Sequence, residues 1–169
     1  AAFAAVLADP EVAEWHDCSP ERVAQVVAWV ERAVDEVAAL GIPDVLVHGD
    51  FHPGNVATLA DGTRVIFDWS DAAISAPFVD VPTWLSWLED DPDERTRVWE
   101  SFAAQWTDVL PVGAWLARRS LFEGVAGAYH VVSYAGIIRA MARPRKGEHG
   151  RGIAEFLAFV DAAAASSDS

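Results

Sequence analysis

A short apolar strand that runs directly into a polar loop constrains this chain more than any other feature. Val45–Val47 predicts the strand, and the loop HGDFHPGN occupies residues 48–55. The dipeptide Asp61-Gly62 follows, and Asp-Gly between apolar stretches is a strong signal for a β-hairpin turn. A further strand is predicted over residues 64–69. The hairpin therefore carries the end of this strand back beside the polar loop.

The rest of the chain predicts helices. Ser19 and Pro20 are typical of a helix start, and Gly41 is typical of its end. Apolar spacing predicts further helices over residues 79–88, 93–106, 114–141 (one helix, or two joined near Gly124 or Gly127) and 153–165. The predicted fold is mainly α with a small β-hairpin, an α+β single domain over residues 1–169, in which 45–72 holds the loop and hairpin and 78–165 is helical.

Composition excludes several classes of function. The 169 residues carry a net charge of −14, which argues against binding to nucleic acid phosphates. Cys18 is the only cysteine, so no internal disulfide is possible and a reducing, cytoplasmic location is expected. The short apolar start lacks a preceding basic residue, and apolar runs fall short of the roughly 20 residues of a membrane span, so neither a signal peptide nor a membrane is expected.

Four polar residues have the spacing of a phosphoryl-transfer site. His48, Asp50 and Asn55 form the pattern H-x-D-x-x-x-x-N, and Asp68 follows at the end of the predicted hairpin strand. In kinases an aspartate of such a loop accepts the proton of the substrate hydroxyl, while the asparagine and a later aspartate bind magnesium. Mg²⁺ prefers oxygen ligands, which an amide carbonyl and a carboxylate supply.

The two motifs HGDFHPGN and VIFDWSDA resemble the signature of the aminoglycoside phosphotransferase family, the small-molecule branch of the protein-kinase-like fold. The resemblance implies the carboxyl-terminal lobe of that fold, with ATP and Mg²⁺ as co-substrate and cofactor. It implies Asp50 as the catalytic base, Asn55 and Asp68 as magnesium and nucleotide ligands, and His48 as support for the loop. It implies a hydroxyl of a small molecule as the phosphoryl acceptor.

Three further residues are weaker candidates. His52 falls on the second loop histidine of the family and is expected to orient the loop or to touch phosphate. Asp71 is expected to assist the metal or to face the substrate, and for both residues a loop-stabilising hydrogen bond is the alternative. Asp80, followed by Pro82, is interpreted as a helix N-cap or a brace for the loop.

Other interpretations of the loop stay open at this point. Asp and Asn in loops are commonly turn residues. His48, Asp50 and His52 could instead ligate zinc, although Gly49 and Gly54 indicate a bent loop in which these side chains do not share one face.

The elements that hold a nucleotide in kinases are absent from the sequence ahead of the loop. Residues 1–47 contain Gly41 as their one glycine and no lysine, and Lys146 comes too late in the chain. The chain is therefore expected to be a fragment whose amino-terminal lobe is missing, weakly active or inactive by itself. The alternative is a non-catalytic kinase-like remnant that acts as a binding or regulatory module, with a homodimer as one possible use of the exposed side.

The acceptor is not specified by any motif, although the helical region 78–165 is expected to bind the substrate and to determine its specificity. An acidic run would suit a polycationic aminoglycoside, or would be a solvated turn between helices; it comprises Glu89, Asp90, Asp91, Asp93 and Glu94.

Overall fold

The computed structural model describes residues 1–88, 91–141 and 146–167. In chain order its α-helices are α1 (Ala2–Leu7), α2 (Pro10–Ala13), α3 (Pro20–Ala39), α4 (Val81–Leu85), α5 (Pro92–Gln105), α6 (Val112–Ala117), α7 (Arg119–Ala140) and α8 (Lys146–Ser167). Its strands are β1 (Val45–Val47), β2 (Val56–Thr58), β3 (Arg64–Ile66) and β4 (Ala73–Ser75). Short 3₁₀ helices cover Pro53–Asn55, Trp69–Asp71 and Pro77–Asp80. The prediction of a mainly helical chain with a small hairpin is confirmed, while the assignment to a kinase-like lobe stays a prediction.

The chain divides into two compact units. The first comprises Ala1–Gly41 and Ser120–Ser169, and the second comprises Ile42–Arg119. The predicted loop and hairpin, residues 45–72, lie wholly in the second unit, as do the 3₁₀ helix Pro77–Asp80 and helices α4, α5 and α6.

Helix α3 begins and ends where its sequence predicts. The Ser19 hydroxyl accepts a hydrogen bond from the backbone N–H of Arg22 at 3.2 Å, and Pro20 occupies the first turn, where no N–H is needed. The helix ends at Ala39, and Gly41 adopts a positive φ of 66° just beyond it. Local capping chemistry therefore accounts for both ends of this helix.

The core of the first unit is built where helices α3, α7 and α8 pack closely. A Cβ on Gly124 would lie 2.4 Å from the Trp29 ring, and a Cβ on Gly127 would lie 2.6 Å from the Phe156 carbonyl oxygen. Both glycines therefore allow close helix packing. The segment 114–141 does divide into two helices, but the division falls at Arg118, between α6 and α7. The prediction of a joint near either glycine was wrong because sequence alone does not show which partner requires the missing Cβ.

The second unit contains two small antiparallel sheets. Strand β2 pairs with β3, so the hairpin predicted at Asp61-Gly62 is confirmed. The Asp61 carboxylate accepts the Thr63 N–H at 2.9 Å, and backbone hydrogen bonding from Thr63 lowers the pKa of Asp61. The hairpin strand β3 ends at Ile66, earlier than predicted.

The second sheet joins β1 to a strand that the sequence analysis did not predict. Strand β4 pairs with β1 in the register Val45↔Ser75, Leu46↔Ile74 and Val47↔Ala73. Two of these partners, Leu46 and Ile74, are 63% and 70% exposed. Three residues lying 28 positions from their partner strand give no local pattern that would indicate it.

Several helix boundaries differ from the predictions. The segment 79–88 starts as a 3₁₀ helix and is α-helical only over α4. Helix α5 starts at Pro92, where the Asp91 side chain accepts the N–H of Asp93 at 2.9 Å. Helix α8 starts at Lys146, ahead of the predicted residue 153.

By length and composition alone, α7 passes a test for a membrane-spanning helix among the described residues. Half of the apolar window that passes the test is buried, and Val131, Ala135 and Ile138 belong to the core of the first unit. A core helix of a soluble protein passes the same test, so the expectation that no membrane is involved stays a prediction.

Helix α7 contains one glycine packed against other helices, Gly124, and one with open space beside it, Gly136, which allows a matched test of packing. We expect Gly124→Ala to lower the free energy of unfolding by about 1–3 kcal/mol, because its Cβ would meet both the Trp29 ring and the Ala163 Cβ. Gly136→Ala in the same helix has no atom within 4 Å of the new Cβ, and should raise it by about 0.5–1 kcal/mol. Urea denaturation followed by far-UV circular dichroism measures both. Equal effects of the two substitutions would contradict the packing assigned to Gly124.

Candidate functional site

His48 lies between the polar loop and the end of the hairpin. Its ring is buried, its Nδ1 accepts the backbone N–H of Asp50 at 3.3 Å, and its Nε2 lies 2.9 Å from the carbonyl oxygen of Phe67. Because Nδ1 accepts a hydrogen bond, Nε2 must carry the proton that is donated to Phe67. The neutral imidazole thus joins the first residue of the loop to the residue that precedes Asp68.

Gly49 is a position that only glycine can occupy. Its φ is 83°, and a Cβ would lie 2.1 Å from the carbonyl oxygen of Asp71. A left-handed backbone and a close backbone neighbour each exclude a side chain. The loop can therefore turn sharply while lying directly against the segment that contains Asp71, which is half-buried.

The Asp80 carboxylate holds the backbone of the loop at its sharpest bend. Oδ2 accepts the N–H of His48 at 2.9 Å, and Oδ1 accepts the N–H of Gly49 at 2.8 Å. The hydroxyl of Thr83 lies 2.9 Å from the carbonyl oxygen of Phe51, farther along the same loop. Asp80 stands at the N-cap position of α4 but makes no side-chain capping bond, so of its two predicted roles the structure shows the brace.

Asp50 and Asn55 are brought together at the two ends of the loop. The amide nitrogen of Asn55 donates to the backbone oxygen of Asp50 at 2.9 Å and to its carboxylate Oδ2 at 3.3 Å. Asn55 is buried and Asp50 is half-buried. Because the NH₂ group faces Asp50, the amide carbonyl of Asn55 is the atom available to a cation.

His52 completes the surroundings of the Asp50 carboxylate. Its Nδ1 accepts the N–H of Gly54 at 3.0 Å, so the proton lies on Nε2, which is 3.4 Å from Asp50 Oδ2. The imidazole also stacks on the ring of Trp87, with centroids 4.3 Å apart and planes 8° from parallel. The structure therefore places His52 beside the predicted base.

Asp68 has a backbone conformation that is uncommon for a residue other than glycine. Its φ is 62° and its ψ is 60°, which is the left-handed region, and its side chain accepts the Ser70 hydroxyl at 3.0 Å. The preceding residue, Phe67, donates its N–H to the carbonyl oxygen of Asn55 at 3.1 Å. Left-handed residues of this kind cluster at functional sites. The backbone thus ties Asp68 to both Asn55 and His48.

The donor set fits magnesium better than zinc. An amide carbonyl from Asn55 and an exposed carboxylate from Asp68 are hard oxygen donors, and Mg²⁺ usually binds one or two protein groups while keeping water and phosphate ligands. Zinc would need a ring nitrogen of His48, and both nitrogens already take part in hydrogen bonds. Within the described residues, no group of three or more His, Cys, Asp or Glu side chains is arranged to hold a metal. The zinc interpretation is therefore not supported.

A cavity of about 770 Å³ within the second unit reaches the loop at Phe51, and its lining does not include Asp50, Asn55 or Asp68. Aromatic and aliphatic side chains form most of its wall, together with Asp80 and the charged side chains of Arg64, Glu94 and Arg97; the aromatic ones are Phe51, Trp84, Phe102 and Trp106. Sequence analysis placed acceptor specificity in the helices after residue 78 but did not predict a cavity there. The apolar wall could be anticipated from its aromatic spacing, but the link to Phe51 could not.

The acidic run is only partly described, because Glu89 and Asp90 lie outside the described residues. Asp91 accepts the N–H groups of Asp93 and Glu94 as the cap of α5. The Glu94 carboxylate lies 3.7 Å from the guanidinium of Arg97. The described part of the run therefore starts a helix and pairs with its own neighbours.

Comparison with known proteins agrees with the motif. The sequence model described as "Phosphotransferase enzyme family" matches residues 2–121. Hygromycin-B 4-O-kinase from Escherichia coli is 32% identical over 105 residues, which is 58% of this chain and 30% of that protein. The chain thus spans about a third of the length of the curated relative that it matches. No solved structure matches significantly.

The Asp80 brace gives a test that does not need activity. Asp80→Asn keeps the size of the side chain but puts an NH₂ group against one backbone N–H donor. We therefore expect it to lower the free energy of unfolding by about 1–3 kcal/mol. Asp108→Asn, at an exposed turn, is the matched control and should change stability by less than about 0.5 kcal/mol. Amide hydrogen exchange of Gly49 should also accelerate in Asp80→Asn alone. Unchanged exchange there would show that the carboxylate does not hold the loop.

Proposed function

The chain belongs to the phosphotransferase enzyme family, the aminoglycoside phosphotransferase family of the sequence motif, and from this membership we propose that it is the acceptor-side lobe of an ATP-dependent small-molecule kinase. The observation that carries the proposal is the convergence of Asp50, Asn55 and the backbone before Asp68 on one loop. The proposed reaction transfers the γ-phosphoryl group of ATP to a hydroxyl group of a small molecule.

Asp50 is the proposed base. Its Oδ2 accepts from the amide of Asn55 and lies beside the protonated Nε2 of His52. These contacts fix the orientation of the carboxylate while leaving Oδ1 to take the proton of the acceptor hydroxyl. A base held in this orientation lowers the entropic cost of reaching a reactive geometry, and such positioning contributes much of the catalysis in phosphoryl transfer.

Asn55 and Asp68 are the proposed ligands of magnesium. When bound, Mg²⁺ would neutralise charge that develops on the phosphoryl oxygens. Asn55 directs its NH₂ group to Asp50, which leaves its carbonyl for the cation, and Asp68 contributes its carboxylate. His48 holds the two segments together through Phe67. Asp71 is kept as a weaker candidate, because its backbone lies against Gly49.

We infer that the nucleotide-binding elements come from a segment outside these 169 residues. The sequence ahead of the loop offers neither a glycine-rich loop nor a lysine for the phosphates. Side chains at the end of the hairpin support a missing partner surface, since Ile66, Phe67 and Trp69 are 40–45% exposed. A non-catalytic remnant that had closed over this side would bury such residues, so this exposure argues against a closed remnant; a remnant that dimerises through this side would show the same exposure in one chain.

The acceptor is proposed to be a hydroxyl compound bound by the segment after residue 78. The relative's name assigns hygromycin B to that protein, which makes an aminoglycoside one candidate class. The cavity beside Phe51 would suit an apolar part of the acceptor that lies away from the reacting hydroxyl, because aromatic and aliphatic side chains dominate its wall while Asp50, Asn55 and Asp68 do not line it.

Nucleotide binding to the chain itself tests the metal ligands. We expect weak Mg·ATP binding, near millimolar, because the clamp for the phosphates is absent, and we expect Asp68→Ala to abolish it because the cation loses its carboxylate. Isothermal titration calorimetry measures the binding, and Asp108→Ala serves as the control that removes the same charge elsewhere in the same unit. Equal binding by wild type and Asp68→Ala would remove Asp68 from the metal site.

Phosphoryl transfer tests the base. In the full-length protein, we expect Asp50→Asn to lower kcat by about 10²–10⁴-fold with little change in KM for ATP, because the amide cannot accept the hydroxyl proton. A coupled assay of ADP release against a panel of aminoglycosides and other alcohols gives both constants. Asp108→Asn should retain wild-type kinetics. Full activity in Asp50→Asn would refute the assignment of the base.

A further inference from the structure

Trp87 is an exposed tryptophan whose ring stacks on His52. The side chain is 58% exposed and follows the carboxyl end of α4. Its ring nevertheless lies parallel to the imidazole of His52, with 4.3 Å between centroids and 8° between planes.

Gly54 contacts the edge of the His52 imidazole. Its N–H donates to His52 Nδ1 at 3.0 Å, and a Cβ at this position would lie 2.8 Å from the imidazole and 3.3 Å from the indole of Trp87. One hydrogen bond to a ring edge still permits the ring to tilt about that bond. The parallel indole removes the tilt, because any rotation of the imidazole plane would separate or overlap the two rings.

The stacked ring places its Nε2 beside both the Asp50 carboxylate and the Asn55 amide. With Nδ1 accepting from Gly54, Nε2 carries the proton and lies 3.4 Å from Asp50 Oδ2 and 3.3 Å from the amide nitrogen of Asn55. That amide donates to the same Asp50 oxygen at 3.3 Å. Both donors must keep their directions if the second carboxylate oxygen is to remain aimed at an incoming hydroxyl.

We propose that Trp87 is a positioning residue, which acts through His52 to hold the Asp50 carboxylate in its reactive orientation. The inference rests on the proposed function for its effect on rate, but its structural part concerns the tautomer and order of one imidazole and is independent of catalysis. Among the described residues, the ring contact of Trp87 in this site is with His52, and no hydrogen bond joins Trp87 to Asp50 or Asn55, so we expect its effect to pass through the stacked ring.

The structural part is tested on this chain by nitrogen NMR of histidines labelled with ¹⁵N. Wild type should show His52, assigned with a His52→Gln variant, as the Nε2-protonated tautomer with well-separated ring shifts. In Trp87→Ala the two shifts should move toward each other as the ring samples both tautomers, and Trp87→Phe should restore the separation. Leu59→Ala, which removes another exposed apolar side chain from the same unit, should change nothing. Unchanged His52 shifts in Trp87→Ala would overturn the proposal.

The kinetic part uses the full-length protein. Trp87→Ala should lower kcat by about 10-fold with KM for the acceptor unchanged, and Trp87→Phe should recover most of the rate. A change confined to KM would overturn the proposal, because it would make Trp87 a contact of the acceptor. Absence of phosphoryl transfer in wild type would refute the proposed function but not the structural part of this proposal. The NMR experiment would still decide whether Trp87 orders His52.

Discussion

One carboxylate, that of Asp80, makes the polar loop possible. The loop bends at Gly49 with a positive φ, so its first N–H groups cannot join a regular ladder and need acceptors of another kind. Asp80 provides one oxygen to His48 and one to Gly49, at 2.9 and 2.8 Å. Hydrogen bonds to an ionised acceptor are stronger than those between neutral groups, so the carboxylate stabilises the bend. The missing Cβ of Gly49 also allows the Asp71 backbone to pack closely against it. The position of every candidate side chain in the loop depends on this bend.

Hydrogen bonds to the backbone of Phe67 connect the loop to the end of the hairpin. The Phe67 N–H donates to the carbonyl oxygen of Asn55, and the Phe67 carbonyl oxygen accepts from the ring of His48. These bonds hold the end of the hairpin beside the loop, and the next residue, Asp68, has a left-handed conformation. The side chains that would carry the chemistry therefore stand on a framework whose own hydrogen bonds are satisfied. Their flexibility is limited by that framework, which is the condition for a preorganised catalytic site.

The parts of this structure that sequence predicts are those controlled by neighbours in the chain. Ser19 and Gly41 act within a few residues, and so do Asp61 and Thr63 in the hairpin. The spacing of Asp50, Asn55 and Asp68 indicated the candidate site for the same reason. Pairing of β4 with β1 and the packing of Gly124 on Trp29 depend on partners 28 and 95 positions away, which no local pattern encodes. The stacking of Trp87 on His52 spans 35 positions and was missed for the same physical reason.

Charge alone is a poor guide to the acceptor in this protein. The net charge of −14 and the acidic run suit a polycation, yet the described acids of the run have local roles. Asp91 caps α5, and Glu94 lies beside Arg97. A carboxylate that already caps a helix contributes less to ligand affinity than an unpaired one, because ligand binding must replace the existing hydrogen bonds. Most of the cavity wall beside Phe51 is apolar and has no hydrogen bond or ion pair to lose. An apolar ligand can therefore bind it simply by displacing water. For an acceptor that reaches from Asp50 into this cavity, we therefore expect aromatic and aliphatic contacts to contribute to selection, with charge contributing mainly to its approach.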